Sequence, residues 1–292
     1  MKIIYNEAKQ EVILDQVSDF DITQTLTCGQ CFRWHEMGRH LFRGVVFGRV
    51  IDVEQLDDHT VIFYRVDRPF FEAHLVDYFD FGTDYRVIKE DLIERDDAVK
   101  QAIAHGGGIR ILNQEPFELL LSFIISGNNN IPRIAKSIEA VASAYGSLIE
   151  TIDGKAYYSF PTPDQLETVT VEDYRQLGVG YRDKYLRDAV ETILEGRIDL
   201  DRLLTADYKL LKETLMLIKG VGSKIADCVI LFAFKNKSAF PVDTWVKKII
   251  RTYYSEELTK NEDILKFASE HFGVHAGVAQ QYLFYYARKI KL

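Results

Sequence analysis

The run from Ile218 to Trp245 limits what this chain can fold into more than any other stretch. Ile-Lys-Gly-Val-Gly-Ser-Lys-Ile-Ala-Asp-Cys leads through an apolar segment to Phe-Pro-Val-Asp-Thr-Trp. Gly220-Val221-Gly222 predicts a tight turn whose bare N–H groups can approach a phosphate oxygen. Ser223 is a good N-cap for a following apolar helix, and the partial positive charge of a helix start makes the turn an anion seat. Lys224, in that first helical turn, meets the same field, which disfavours its ammonium form and favours the free amine. Asp243 comes nineteen residues later, where Pro241-Val242 breaks the pattern and delivers one carboxylate. A free amine beside a carboxylate is the equipment for imine chemistry at a sugar carbon.

The net charge of −8 argues against a nucleic-acid partner until its distribution is examined. Residues 1–100 hold 12 Lys/Arg against 20 Asp/Glu, the whole imbalance, while the remainder is neutral overall at 24 against 24. From Lys219 to Arg251 seven basic residues face two acidic ones, enough for a local basic surface. With 47% hydrophobic residues and no low-complexity tract, the chain reads as globular rather than disordered. Met1-Lys2-Ile3-Ile4-Tyr5-Asn6-Glu7 lacks a sustained apolar run, so neither a signal peptide nor a membrane partner is expected, and the location expected is cytoplasmic, at a prokaryotic nucleoid. Three cysteines fit a reducing compartment. Cys28 and Cys31 form a lone CxxC with no second pair, so they read as small residues around a turn, and no metal is expected.

Along the chain, 41–50 and 60–66 read as strands, rich in β-branched and aromatic residues. A broken helical pattern runs from Pro69 towards Ala104. Gly106-Gly107-Gly108 punctuates it, giving a sheet-rich domain over 1–108 and a helical domain over 109–292. From residue 115 the pattern is helical. Pro116 opens an apolar helix ending at Gly127, and a second helix follows Asn130 with Pro132 in its first turn. Further helices are predicted over 181–195, 205–218, 224–235, 244–254, 261–272 and 277–290. The fold class is therefore α+β.

The hairpin, its lysine and the later aspartate resemble the helix-hairpin-helix, Gly/Pro-rich, Asp superfamily of base-excision DNA glycosylases, and within it the 8-oxoguanine DNA glycosylases. The likeness also covers Gly29-Gln30-Cys31-Phe32-Arg33-Trp34, Asn128-Asn129-Asn130-Ile131-Pro132-Arg133, Gly180-Tyr181-Arg182 and Ala279-Gln280-Gln281-Tyr282-Leu283-Phe284. It implies an antiparallel-sheet N-terminal domain packed on a two-lobed helical domain, with the active cleft between the lobes. It further implies a monomer that acts on double-stranded DNA containing oxidised guanine. The enzyme would excise 8-oxoguanine opposite cytosine and nick the strand through a lysine imine, without a cofactor.

By this resemblance Lys224 is the nucleophile and Asp243 assists departure of the base; Asp243 is also a good N-cap by residue type. Cys228, four residues after Lys224, would lie against one face of an extruded base. Gln280 and Phe284, spaced i, i+4 on the last helix, would read its edge and stack on it. Gly29 would offer a carbonyl to the N7 hydrogen that 8-oxoguanine has and guanine lacks. Asn128, Arg133 and Arg182 would hold the orphaned cytosine, and Tyr181 would wedge into the stack. Gly220, Gly222 and Trp245 would meet the DNA backbone. Trp245 stands where the family usually has a histidine, and Pro132 where a smaller residue is usual. Two other readings are an alkylpurine DNA glycosylase, whose branch lacks the hairpin lysine, and a non-catalytic helix-hairpin-helix DNA-binding module, in which Lys224 and Asp243 would be idle.

Overall fold

The computed structural model describes residues 1–292. Strands β1 (Lys2–Asn6), β2 (Glu11–Asp15), β3 (Trp34–Gly38), β4 (Leu41–Val46), β5 (Arg49–Gln55) and β6 (Val61–Tyr64) form an antiparallel sheet in the order β1-β2-β6-β5-β4-β3. The run 41–50, expected to be one strand, is a hairpin. Phe47 and Gly48 take φ of 48° and 70°, the two left-handed residues of a tight turn, and Val46 pairs with Arg49. Alternation along β2 and β6 buries Val12, Leu14, Val61 and Phe63 on one face. They pack there with Phe71 and Leu75 from a segment built of α2 (Arg68–Phe70), a wide helical turn (Phe71–Leu75) and α3 (Val76–Tyr78), and with Phe79 just after it. Each such side chain contributes about 1.5–3 kcal/mol through burial.

Between β2 and β3 lies α1 (Ile22–Thr27). Helices α4 (Tyr85–Arg95) and α5 (Asp97–Gly106) are opened by Asp84 and Asp96, whose carboxylates accept the amides of Arg86 and Val99. Although both precede the glycine run, their apolar faces bury Tyr85, Ile88, Leu92 and Val99 in the larger core shared with the later helices. Those are α6 (Pro116–Ser126), α7 (Ile131–Tyr145), α8 (Val171–Gln176), α9 (Asp183–Leu194), α10 (Tyr208–Leu215), α11 (Ser223–Ala233), α12 (Thr244–Tyr253), α13 (Asn261–Phe272) and α14 (Ala276–Lys289). The stretch expected to be helical throughout also holds a hairpin, β7 (Leu148–Ile152) with β8 (Lys155–Tyr158). No helix is long and apolar enough to cross a membrane.

Two features of this packing set the site. First, α11 is buried without interruption from Ala226 to Ala233, so it is a core helix held on all sides, with α6 and α10 among its neighbours. Only its N-terminal turn reaches the surface. Second, the segment after α1 crosses between the two cores: Cys28 and Phe32 bury with the helices, Cys31 with the sheet. Gln30 pins this crossing. Its amide donates to the carbonyls of Thr25 (2.9 Å) and Arg110 (2.8 Å) and its Oε1 accepts from the Leu112 amide at 2.9 Å.

Candidate active site

The turn between α10 and α11 is built as its glycines require, but the two glycines do different things. Gly220 has φ of +87°, and a Cβ there would stand 2.5 Å from the Tyr185 ring, so no other residue fits. Gly222 has an ordinary φ of −91° and open space around it. Gly222, not Ser223, is the N-cap, and no side chain caps the helix. Ser223 is the first helical residue, and its hydroxyl turns towards Asp227 (3.4 Å). The expectation of a serine cap is corrected by one position, and the first amides of α11 are left bare. Below them Asp227 is fully buried, accepting from Tyr208 (2.7 Å) and Lys212 (3.0 Å) and so tying α10 to α11. Burial holds Asp227 above the usual carboxylate range, against the pull of Lys212, Tyr208 and Ser223. On the outer side of the turn, Asp188 accepts the Lys219 amide at 2.9 Å and pairs with its ammonium at 2.8 Å.

Lys224, the second residue of α11, projects into a cleft of about 820 Å³, with its Nζ 5.2 Å from the centre of the Phe123 ring. Asp243 faces the same cleft. It is the N-cap of α12, its carboxylate accepting the Val246 amide at 2.8 Å. Capping and exposure to the cleft thus coexist in one side chain. The charged residues lining the cleft are Lys224, Lys247, Arg288 and Asp243, so it is locally positive in an acidic protein. Cys228 lies one turn behind Lys224, 4% exposed. Burial pushes its thiol up to about 11, with Lys224 opposing and Asp243 reinforcing the shift. It presents a neutral, polarisable surface rather than a thiolate.

The far wall comes from the crossing segment and α14. Gly29 has φ of +97°, and a Cβ there would lie 3.7 Å from the Phe284 ring. Gln281 donates to the Cys28 carbonyl at 3.2 Å, fixing the turn against α14. Gln280 is 5% exposed, and its Oε1 has no hydrogen-bond partner, an orphan that costs about 1–3 kcal/mol unless something donates to it. Sequence reasoning missed Arg288, whose guanidinium lies 5.4 Å from the centre of the Phe284 ring at the cleft wall. The signal was available: positions 280, 284 and 288 continue one helical face. Cys28 and Cys31 are both buried, with thiols directed at the carbonyls of Thr25 and Leu26. No group of three or more His, Cys, Asp or Glu side chains is placed to hold a metal ion.

The rim holds the remaining candidates. Asn128 (φ 51°) and Trp245 line the cleft, and Arg133 projects from the first turn of α7, exposed and without a hydrogen-bonded or ionic partner for its guanidinium. Asn130 caps that helix, accepting the Arg133 amide at 3.1 Å. Tyr181 is 54% exposed and rests beside the Arg182 guanidinium, 4.5 Å from its ring centre. Arg182 itself is buried, donating to the carbonyls of Gly127 (2.8 Å from Nε), Asn128 (3.0 Å) and Val179 (2.9 Å). The structure therefore gathers Lys224, Asp243, Gly29, Phe284, Asn128 and Trp245 around one opening, with Cys228 and Gln280 behind its walls. Arg182 serves the Gly127–Asn128 turn from inside.

Comparison with known proteins agrees with this architecture. Residues 12–120 match the family model "8-oxoguanine DNA glycosylase, N-terminal domain", and 121–272 match "HhH-GPD superfamily base excision DNA repair protein". The N-glycosylase/DNA lyase of Saccharomyces cerevisiae is 33% identical over 84% of this chain and 71% of its own length. The probable N-glycosylase/DNA lyase of Methanothermobacter thermautotrophicus is 30% identical over 94% and 95%. Among solved structures, the 8-oxoguanine glycosylase/lyase of Clostridium acetobutylicum superimposes with a TM-score of 0.95 at 40% identity, covering 100% of this chain and 99% of that one. It is in complex with double-stranded DNA containing cytosine opposite 8-oxoguanine. The chain belongs to the helix-hairpin-helix base-excision DNA repair superfamily and, within it, to the 8-oxoguanine DNA glycosylase family.

Proposed function

We propose that this chain is a bifunctional DNA glycosylase and AP lyase that removes 8-oxoguanine paired with cytosine and then nicks the strand. The observation that carries the reading is the opening of Lys224 and Asp243 into one cleft walled by Gly29 and Phe284. Extrusion of the base costs only about a few kcal/mol. The amine of Lys224 attacks C1′ as the C1′–N9 bond breaks, and the departing purine takes the bond's electron pair and then a proton. Asp243 stabilises the positive charge developing on the sugar. Ring opening leaves an imine between Nζ and C1′, which acidifies the 2′ hydrogen. Loss of that proton expels the 3′ phosphate by β-elimination, and water later frees the lysine.

Recognition follows from the walls. The Gly29 carbonyl accepts the N7 hydrogen of the lesion and repels the N7 lone pair of guanine. Cys228 and Phe284 sandwich the base, and Gln280, whose Oε1 has no partner in the protein, reads the Watson–Crick edge. Arg133 and Asn128 meet the unpaired cytosine, with Arg182 holding the turn that presents Asn128, and Tyr181 enters the stack. Gly220 and Gly222 seat a backbone phosphate at the start of α11, and the Trp245 N–H donates to another.

The test is borohydride trapping and strand cleavage on duplexes carrying 8-oxoguanine opposite each of the four bases. The expected result is a trapped covalent adduct and fastest excision opposite cytosine. Release of alkylated purines with no action on 8-oxoguanine would overturn the assignment.

A further inference from the structure

We propose that the outward face of α12 is a second DNA-binding surface, where Lys247 and Arg251 grip the backbone of the strand whose nucleotide enters the cleft. This rests on the reading of the chain as a DNA-acting enzyme. Thr244, Lys247, Lys248, Arg251, Thr252 and Glu256 line an open groove of about 800 Å³ that contains no hydrophobic residue. An apolar ligand has nothing to hold there; a polyanion does. Thr244 and Lys247 also line the catalytic cleft, so the groove is its continuation.

The pairing of charges separates this face from its surroundings. Lys212, Lys219, Lys235 and Lys237 each hold an aspartate: Asp227, Asp188, Asp77 and Asp80 respectively. On α12 neither Lys247 nor Arg251 is paired with a carboxylate within 4 Å. Glu256 is the one acid on the groove, and Lys248 donates to the Leu292 carbonyl. Cations left unpaired beside a DNA cleft, in a chain of net charge −8, supply the local attraction that the rest of the surface opposes. The spacing suits the partner. Thr244 to Arg251 spans about 10 Å of helix, against roughly 3.4 Å of axis per phosphate along one strand, so the ridge meets about three phosphates. The strand follows from the start of α12. Its N-cap is Asp243, which faces the sugar of the extruded nucleotide, so the helix runs from that sugar along the same strand.

The test is the double variant Lys247→Gln/Arg251→Gln, leaving Lys248 to hold Leu292, titrated with a duplex carrying a reduced abasic-site analogue across a salt series. The slope of log Kd against log[salt] should fall by about 2, at roughly 0.9 per lost phosphate contact, and affinity near 0.1 M salt should drop tenfold or more. The charge-conserving pair Lys247→Arg/Arg251→Lys should keep the wild-type slope, which a folding defect at these positions would not allow. Neutral methylphosphonate linkages flanking the analogue should weaken wild-type binding and spare the Gln variant when placed in the analogue-bearing strand only. An unchanged slope, or the same pattern from the complementary strand, would overturn the proposal. A wild-type protein that binds with this slope yet releases no 8-oxoguanine would sink the function above and leave this surface standing.

Discussion

Two of the helices that begin at the cleft, α11 and α12, finish their first turns in opposite ways. α12 is capped: Asp243 accepts the Val246 amide, and the carboxylate complements the partial positive charge of the helix start. α11 has no side-chain cap, an exposed glycine in the cap position and a lysine, the least suitable charge, as its second residue. Left alone, such an end would fray. It is held instead by its buried remainder from Ala226 onward and by the Tyr208–Lys212–Asp227 cluster under its first turn. Stability is supplied from the interior, so the exposed amides and the amine stay free for a ligand. α12 can use its cap for folding and still present the carboxylate, because capping occupies one oxygen and leaves the other.

The sharpest test of this contrast is at α11. Lys224→Gln should abolish base release and borohydride trapping, a loss on the order of a thousandfold or more, while lesion binding remains measurable. A wild-type yield of trapped adduct would place the nucleophile elsewhere. The next largest effect separates the two roles of Asp243. Asn caps helices as well as Asp, so Asp243→Asn should keep the melting temperature yet slow excision by roughly 10²–10³-fold, through loss of the charge facing the cleft. Asp243→Ala should add a stability loss of about 1 kcal/mol, or ~2–4 °C in Tm. Equal melting losses for both variants would show that the charge, rather than the cap, supports α12.

A smaller effect comes from making α11 resemble α12. The Cβ position at Gly222 is open and its φ suits any residue, so Gly222→Asp can install the missing cap. The helix should gain a few tenths of a kcal/mol, while DNA affinity falls roughly tenfold as a carboxylate occupies the anion seat. Gly222→Ser, a cap without charge, should bind DNA more tightly than the Asp variant. Similar binding by the two would mean that no phosphate sits there.

How much of this could be read from residues alone divides along the same line. The turn, Lys224 and Asp243 were legible because local chemistry makes them: glycines, a helix start, and a proline delivering an acid. Helix α13 was predicted at its observed limits, since a 3.6-residue pattern with clear ends is a local signal. What stayed hidden depends on distant partners. Arg182 reads as a cation for the unpaired cytosine, and nothing local shows that its guanidinium is held by carbonyls some 54 positions earlier in sequence. The Phe47–Gly48 turn was hidden inside a β-rich run, because nothing in its composition demands a bend until β4 and β5 pair. Arg288 was overlooked because its neighbour Gly29 lies at the other end of the chain.

The smallest effect tests the one-position correction at the head of α11. Were Ser223 the N-cap, Ser223→Ala would remove a side-chain acceptor from the first turn and cost about 1 kcal/mol, within a range of ~0.5–2 kcal/mol. In the structure its hydroxyl caps nothing and meets Asp227 only at 3.4 Å, the outer limit of a hydrogen bond. Asp227 keeps its two better donors, Tyr208 and Lys212, when that hydroxyl is removed. Ser223→Ala should therefore move stability by less than about 0.5 kcal/mol, a change in Tm of at most ~1–2 °C, with DNA affinity unchanged. A loss of 1 kcal/mol or more, measured by denaturant titration, would return the cap to Ser223 and remove the asymmetry between the two helix starts.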